Sequence, residues 1–141
     1  MKLLYVAGPF RGPTPYDVEC NVREAEALGL MLAQLGVMPV IVHTSYRFFD
    51  KILPDQFWLE GTAAILMRCD ALVLHPSWNR SPGSRGERDL AVANKIPVLD
   101  LALVLPTTAR VDESFRGYCR AFVGQLNGEK AAPLVPLDFH P

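Results

Sequence analysis

Two short apolar runs each end in a loop of small residues that opens a helical pattern, and this arrangement constrains the chain more than any other feature. Lys2–Ala7 runs into Gly8-Pro9-Phe10-Arg11-Gly12-Pro13. Asp70–His75 is followed by Ser81-Pro82-Gly83-Ser84-Arg85-Gly86-Glu87. Neither run alternates apolar with polar residues, so each reads as a parallel strand covered on both faces. Strand–loop–helix units repeated along a chain build a parallel sheet with helices on its faces. In such sheets ligands bind beyond the carboxyl ends of the strands.

The rest of the chain keeps the alternation. Thr14 as N-cap, Pro15 at the first position and Asp17 at the third predict a helix to about Leu35. Its apolar face is Val18, Val22, Ala25, Leu28, Leu32 and Leu35, and Gly36 ends it. Val37–Val42 reads as a second strand, which Pro39 places at an edge. The connection 43–54 is long and aromatic, suited to a binding wall or lid, or to packing on the core. Asp55 caps a second helix ending near Arg68, with Phe57, Trp58, Ala64, Ile65 and Met67 as most of its apolar surface. Ala71–His75 is strand three and Ile96–Leu101 strand four. A fourth helix is expected over 112–127, with Phe115, Cys119, Phe122, Val123 and Leu126 on one face and Gly128 as its stop. Residues 131–141 contain three prolines yet stay apolar, so an extended segment packed on the sheet or on a neighbouring subunit is expected. The fold class is α/β: one doubly wound domain over 1–141, with a parallel sheet of four or five strands ordered 2-1-3-4-5 as in flavodoxin-like folds, and helices on both faces.

Composition narrows the function classes. With 141 residues there is one core, and a net charge of −1 gives no general surface for a nucleic-acid polymer. No apolar run is long enough to span a bilayer, and the N-terminus lacks signal-peptide architecture, so a cytoplasmic protein without a membrane partner is expected. Cys20, Cys69 and Cys119 are far apart and odd in number, which fits reduced thiols. No His, Cys or Asp cluster has metal-ligand spacing, and neither a metal nor a cofactor is expected.

In a 2-1-3 order the loops after strands one and three flank the topological switch point and line one crevice. It would gather Tyr5 or Phe10, Arg11, Ser81, Ser84, Arg85 and Glu87: cations, hydroxyls, free N–H groups and one carboxylate, as a nucleotide or sugar site needs. Neither a Gly-x-Gly-x-x-Gly nor a Walker pattern is present. Glu87 has two readings. Ser84-x-x-Glu87 is a capping box, with Ser84 as N-cap. Alternatively, Glu87 is a reactive carboxylate kept ionised by the first turn of its helix. Among other polar residues, Asp70 reads as a structural cap at the amino end of the sheet. His75 could face the crevice or be a satisfied structural group. His43 could touch a base or cap strand two, Trp78 could stack on a base or pack, and His140 lies near the terminus.

The chain resembles the nucleoside 2-deoxyribosyltransferase superfamily over roughly residues 1–101. The resemblance rests on Tyr5-Val-Ala-Gly-Pro-Phe-Arg-Gly12, then Asn21, Ala25 and Leu32, and on Gly36-x-x-Pro39. It continues through Cys69-Asp70-Ala71-Leu72, Trp78-x-x-Ser81-x-Gly83-x-x-x-Glu87 with Ala91, and Ile96-Pro-Val98. It implies that Glu87 is the nucleophile on C1′ of the sugar, and that Ser81 holds it or binds a substrate phosphate. It also implies that Gly8, Pro9, Phe10, Arg11 and Gly12 contact sugar and phosphate, with Arg11 as phosphate ligand. Gly83 and Ser84 complete the expected binding set, and Tyr5, His43, Glu60, Trp78 and Arg85 stand at its margin. The resemblance further implies a homodimer with a pocket built from two subunits. It departs at Thr62, where those enzymes usually carry an aspartate that binds the sugar or protonates the base; Glu60 and Asp55 are the carboxylates that could substitute.

Three functions follow as expectations. The first is cleavage or transfer at the N-glycosidic bond of a nucleoside or nucleoside 5′-monophosphate, parallel to retaining glycoside hydrolysis. The second is a non-catalytic nucleotide-binding or sensing module of the same fold. The third is a phosphoribohydrolase of the lysine-decarboxylase-like type, whose Pro-Gly-Gly-x-Gly-Thr loop Pro82–Gly86 echoes loosely.

Overall fold

A computed structural model describes residues 1–49, 51–104 and 113–129. Its elements are β1 (Leu3–Ala7), α1 (Pro15–Gln34), β2 (Met38–Val40), the single turn α2 (Val42–Ser45), α3 (Asp55–Leu66), β3 (Ala71–Leu74), α4 (Pro82–Ala93), β4 (Val98–Asp100) and α5 (Glu113–Leu126). The four strands form one parallel sheet ordered β2-β1-β3-β4. The doubly wound expectation holds, with Pro39 on an edge strand as its missing N–H requires. No fifth strand occurs among the described residues, and the expected segment 131–141 lies outside them, as do His140 and the expected start of the last helix at Asp112.

Alternation along the buried strands sends side chains to two cores. Leu4, Val6, Ala71 and Val73 pack with Ala25, Leu28 and Leu32 of α1 and with Phe115, Cys119 and Phe122 of α5. Tyr5, Ala7, Leu72 and Leu74 pack on the other face with Leu66 of α3 and Ala91 of α4. The predicted apolar faces of the first and last helices are thus the ones used. Thr14 is the N-cap as predicted and closes a capping box with Asp17, and Gly36 and Gly128 follow their helices at φ +89° and +82°, where glycine carries no Cβ penalty. Asp70 accepts the N–H of Leu3 at 2.7 Å and ties the amino ends of β1 and β3, the structural role expected of it.

Three local expectations are corrected. The second strand stops at Val40, because Thr44 donates its hydroxyl to the Ile41 carbonyl at 2.9 Å and closes a helical turn over Val42–Ser45. Asp55 is the first residue of α3 and Pro54 its N-cap; the Asp55 carboxylate pairs with Arg11 instead of capping. The apolar surface assigned to this helix faces largely outward: Phe57, Ala64 and Met67 are exposed, and only Leu66 is fully buried. The inward stripe runs through Trp58, Thr62 and Ile65, and a threonine in that stripe reads as polar when the sequence is taken alone.

Candidate active site

The start of α4 decides what Glu87 can do. Ser81, extended at φ −107°, accepts the N–H of Ser84 on its Oγ at 3.2 Å, and Pro82 takes the first helical position. The helix therefore begins three residues earlier than a Ser84–Glu87 capping box requires. Ser84 is the third helical residue and Glu87 the sixth, in the second turn, so the capping reading of Glu87 is wrong. The expectation that the helix end keeps it ionised also fails, since the dipole effect falls off within the first turn. Burial dominates instead and pushes the Glu87 carboxyl up to about 7, with the Tyr5 hydroxyl opposing.

Glu87 lines a cavity of about 380 Å³ at the carboxyl ends of β1 and β3. The loop Gly8–Arg11 forms one wall. The start of α4, from Ser81 to Ser84, forms another. Tyr46 and Trp58, with ring centroids 5.5 Å apart, supply an aromatic side together with Leu59 and Thr62. Tyr5, fully buried in β1, lies beneath; its hydroxyl sits near Glu87 and Thr62 without completing a hydrogen bond to either. Burial and the Glu87 charge together hold the Tyr5 phenol far above its usual range.

Buried polar side chains normally find partners. Among the described residues seven buried side-chain atoms have none, and four of them belong to cavity-lining residues: His43 Nδ1, Trp58 Nε1, Ser84 Oγ and Glu87 Oε2. His43 is fixed by its other nitrogen. Nε2 lies 2.9 Å from the Gly8 carbonyl oxygen, which can only accept, so Nε2 carries the proton and Nδ1 is an unused acceptor. Burial lowers the His43 pKa, which keeps the ring neutral at neutral pH. The lining thus offers an indole N–H, a hydroxyl, an imidazole lone pair and a carboxyl to a ligand with both polar and flat apolar parts.

Cations stand at the rim. Arg11 is exposed and donates to Asp55 at 2.6 Å, so its charge is shared with a carboxylate that also lines the cavity. Arg80 lines the cavity and has no ion-pair partner among the described residues.

Of the expected site residues, the structure gathers Gly8, Pro9, Phe10, Arg11, His43, Ser81, Gly83, Ser84 and Glu87 around one cavity, with Tyr5 below. It leaves others outside. Trp78 donates its indole N–H to Asp100 at 2.8 Å and packs on the second core. Arg85 turns to the Asn79 carbonyl, Glu60 to Gln56, and Gly12 sits against Asp17 of the α1 cap. Of the two carboxylates that could replace an aspartate at Thr62, Asp55 lines the cavity and Glu60 does not. Trp58, Arg80 and Tyr46 were not picked out by sequence. The long aromatic connection 43–54 was the signal for Tyr46, whereas Trp58 read as core and Arg80 carried no motif.

Among the described residues no group of three or more His, Cys, Asp or Glu is placed to hold a metal ion, and no helix is long and apolar enough to cross a membrane. The model of DUF4406, a domain of unknown function, matches residues 2–100. The chain belongs to that family. The DUF4406 match runs from β1 through β4 and encloses every residue lining the cavity, while α5 lies beyond it. No curated protein and no solved structure matches the chain.

Proposed function

We propose that this DUF4406 protein cleaves or transfers at the N-glycosidic bond of a nucleoside or nucleoside 5′-monophosphate. Glu87 carries this reading. Its carboxyl lies in the cavity wall, one oxygen is unpartnered, and its helix position gives it no capping duty. The carboxylate attacks C1′ of the sugar, and the bond from C1′ to the base nitrogen breaks with its electron pair leaving on the base, which takes up a proton. Water, or a ring nitrogen of a second base, then attacks C1′, loses a proton that balances the one taken up by the departing base, and frees the carboxylate. Tyr46 and Trp58, tilted by 40° to each other, each offer an aromatic face to the base. Arg80, Arg11 and the first turn of α4 favour a 5′-phosphate at the rim. The test is incubation with a panel of nucleosides and their monophosphates, with chromatography for free base. Release by the wild type, lost in Glu87→Gln, supports the assignment; no release from any member of the panel rejects it.

A second reading, a nucleotide-binding module without turnover, draws on Thr62 at the position where the similar enzymes carry aspartate, and on a Glu87 carboxyl half protonated near neutrality. Saturable nucleotide binding without base release would select it. We also propose that the protein is a cytoplasmic homodimer. Support comes from three free cysteines and from the exposed apolar side chains Phe48, Phe49, Ile52, Leu53, Phe57 and Leu59 in the connection 43–54 and the start of α3.

A further inference from the structure

A second cavity, of about 190 Å³, shares Gly8, Pro9 and Arg80 with the first. Its other walls come from Cys20, Asn21 and Glu24 on the inner side of α1, and from His75 and Ser77 after β3. Gly8 is tightly constrained here: an added Cβ would stand 2.9 Å from that of His75. Asn21 donates its amide to the Phe10 and Arg11 carbonyls and so fixes the loop that forms the shared wall.

His75 is only 4% exposed, and its Nδ1 accepts the Ser77 N–H at 3.1 Å. A neutral ring with Nδ1 accepting must carry its proton on Nε2. That donor has no hydrogen-bond partner, and the nearest carboxylate oxygen, Glu24 Oε2, is 3.6 Å away, too long for a direct bond. A buried donor and an acceptor therefore face each other across a gap. Burial holds the His75 pKa below its usual value, against the opposing pull of Glu24, so the ring is a neutral donor at neutral pH. An occupant that accepts from Nε2 satisfies the buried donor, and one that also donates can engage the partly exposed carboxylate beside it. An ammonium group cannot accept, and an oxyanion at Nε2 would meet the Glu24 carboxylate, with Arg80 of the same lining as the only opposing charge among the residues of this wall. A hydroxyl does both. The space equals about six waters at roughly 30 Å³ each, enough for a pentose.

We propose that this cavity is a hydroxyl-binding site, in which a polyol or sugar of up to pentose size places one hydroxyl against His75 Nε2 and beside Glu24, bridging the two from the cavity side. The proposal stands without the reading of the larger cavity. It is tested by following the His75 ring resonances by NMR during titration with ribose, glycerol and inorganic phosphate. The two polyols should shift the ring saturably and phosphate should not. Glu24→Ala, at a partly exposed helical position where alanine is favourable, should weaken polyol binding at least about tenfold, the loss of a hydrogen bond to a charged group. If that variant fails to fold, Glu24→Leu removes the acceptor in a side chain of similar size, while Glu24→Gln, which keeps an acceptor oxygen, should weaken binding less. Ribose binding should persist in Glu87→Gln. The proposal is overturned if neither polyol shifts His75 at tens of millimolar, if phosphate alone does, if the Glu24 variant binds as the wild type, or if the ribose response disappears with Glu87→Gln.

Discussion

Ser81 Oγ accepts the backbone N–H of Ser84 at 3.2 Å, and this one contact moves the start of α4 to Pro82 and carries Glu87 into the second turn. The two serines, three residues apart, then have opposite duties. Ser81 closes the helix end. Ser84, 1% exposed, holds a hydroxyl oxygen with no partner at the edge of the cavity.

Alanine replacements should separate them. Ser81→Ala removes an N-cap and should cost the fold about 1 kcal/mol. Ser84→Ala deletes an unsatisfied buried hydroxyl, so stability should be unchanged or rise by up to about 1 kcal/mol, while ligand affinity falls. Urea unfolding with a parallel binding assay checks both. Equal destabilisation by the two changes would show that Ser84 has a structural partner.

Glu87 makes stability depend on pH, with a definite sign. Its carboxyl titrates at about 7 in the folded protein against an ordinary 4.5. Below about pH 4.5 it is neutral in both states. As pH rises toward 7 the unfolded chain gives up the proton and the folded protein keeps it, so stability is lost across that window. Each tenfold difference in proton affinity between the two states is worth roughly 1.4 kcal/mol, so the loss amounts to about 3 kcal/mol above pH 7. Glu87→Gln abolishes it. The stability of the Gln variant relative to wild type should therefore grow by up to ~3 kcal/mol between about pH 4.5 and pH 8. Parallel pH profiles for the two proteins would mean that Glu87 is not held in a desolvated site.

The sheet was legible because unbroken apolar runs and capped amphipathic helices admit few arrangements. Pro39 even identified the edge strand. Most of the cavity was legible too, since the loops after β1 and β3 must meet at the switch point. Helix α3 was harder to read. Trp58 and Thr62 face inward toward the cavity while Phe57 and Met67 face outward, so hydrophobicity along this helix does not report burial. Trp78 stayed open between stacking and packing for a different reason: its bond to Asp100 joins residues 22 apart in the chain, which local pattern does not register.

Arg11 and Asp55 are both more than half exposed, and such a pair contributes at most about 1 kcal/mol to stability. Arg11→Ala should leave unfolding nearly unchanged. If the guanidinium leaves Asp55 for a phosphate, the same change should weaken nucleoside monophosphate binding by about 1.5–3 kcal/mol and spare the nucleoside. Calorimetry on both ligands decides this. Equal weakening would assign Arg11 to the loop rather than to phosphate.

Phe48 and Ile52 are 77% and 72% exposed, and Phe57 and Leu59 lie close by in sequence on α3. Exposed apolar side chains concentrated in one stretch of chain are suited to association. Sedimentation should show a dimer at micromolar concentration, and the double change Ile52→Asp with Phe57→Asp should give a folded monomer. A wild type that sediments as a monomer removes the homodimer from the proposed function.

The Glu87 carboxyl, pushed by burial up to about 7, can serve in either form. As nucleophile it must be ionised, so kcat/KM for base release should rise with pH and level off above about 7, where the free protein's carboxyl has lost its proton. As general acid it must be protonated, and the same profile would fall across that range. His43, neutral near pH 7 because burial lowers its pKa, should not shape the alkaline side. Tyr5, whose burial holds its proton far above the accessible range, should not either. Tyr5→Phe then offers an internal control. The phenol hydroxyl opposes the rise in the Glu87 pKa, so its removal should move the midpoint upward while leaving the direction of the profile unchanged. Rate profiles of the wild type and Tyr5→Phe, measured on one nucleoside that releases base, distinguish the roles. A profile that falls through neutrality would reassign Glu87 from nucleophile to acid.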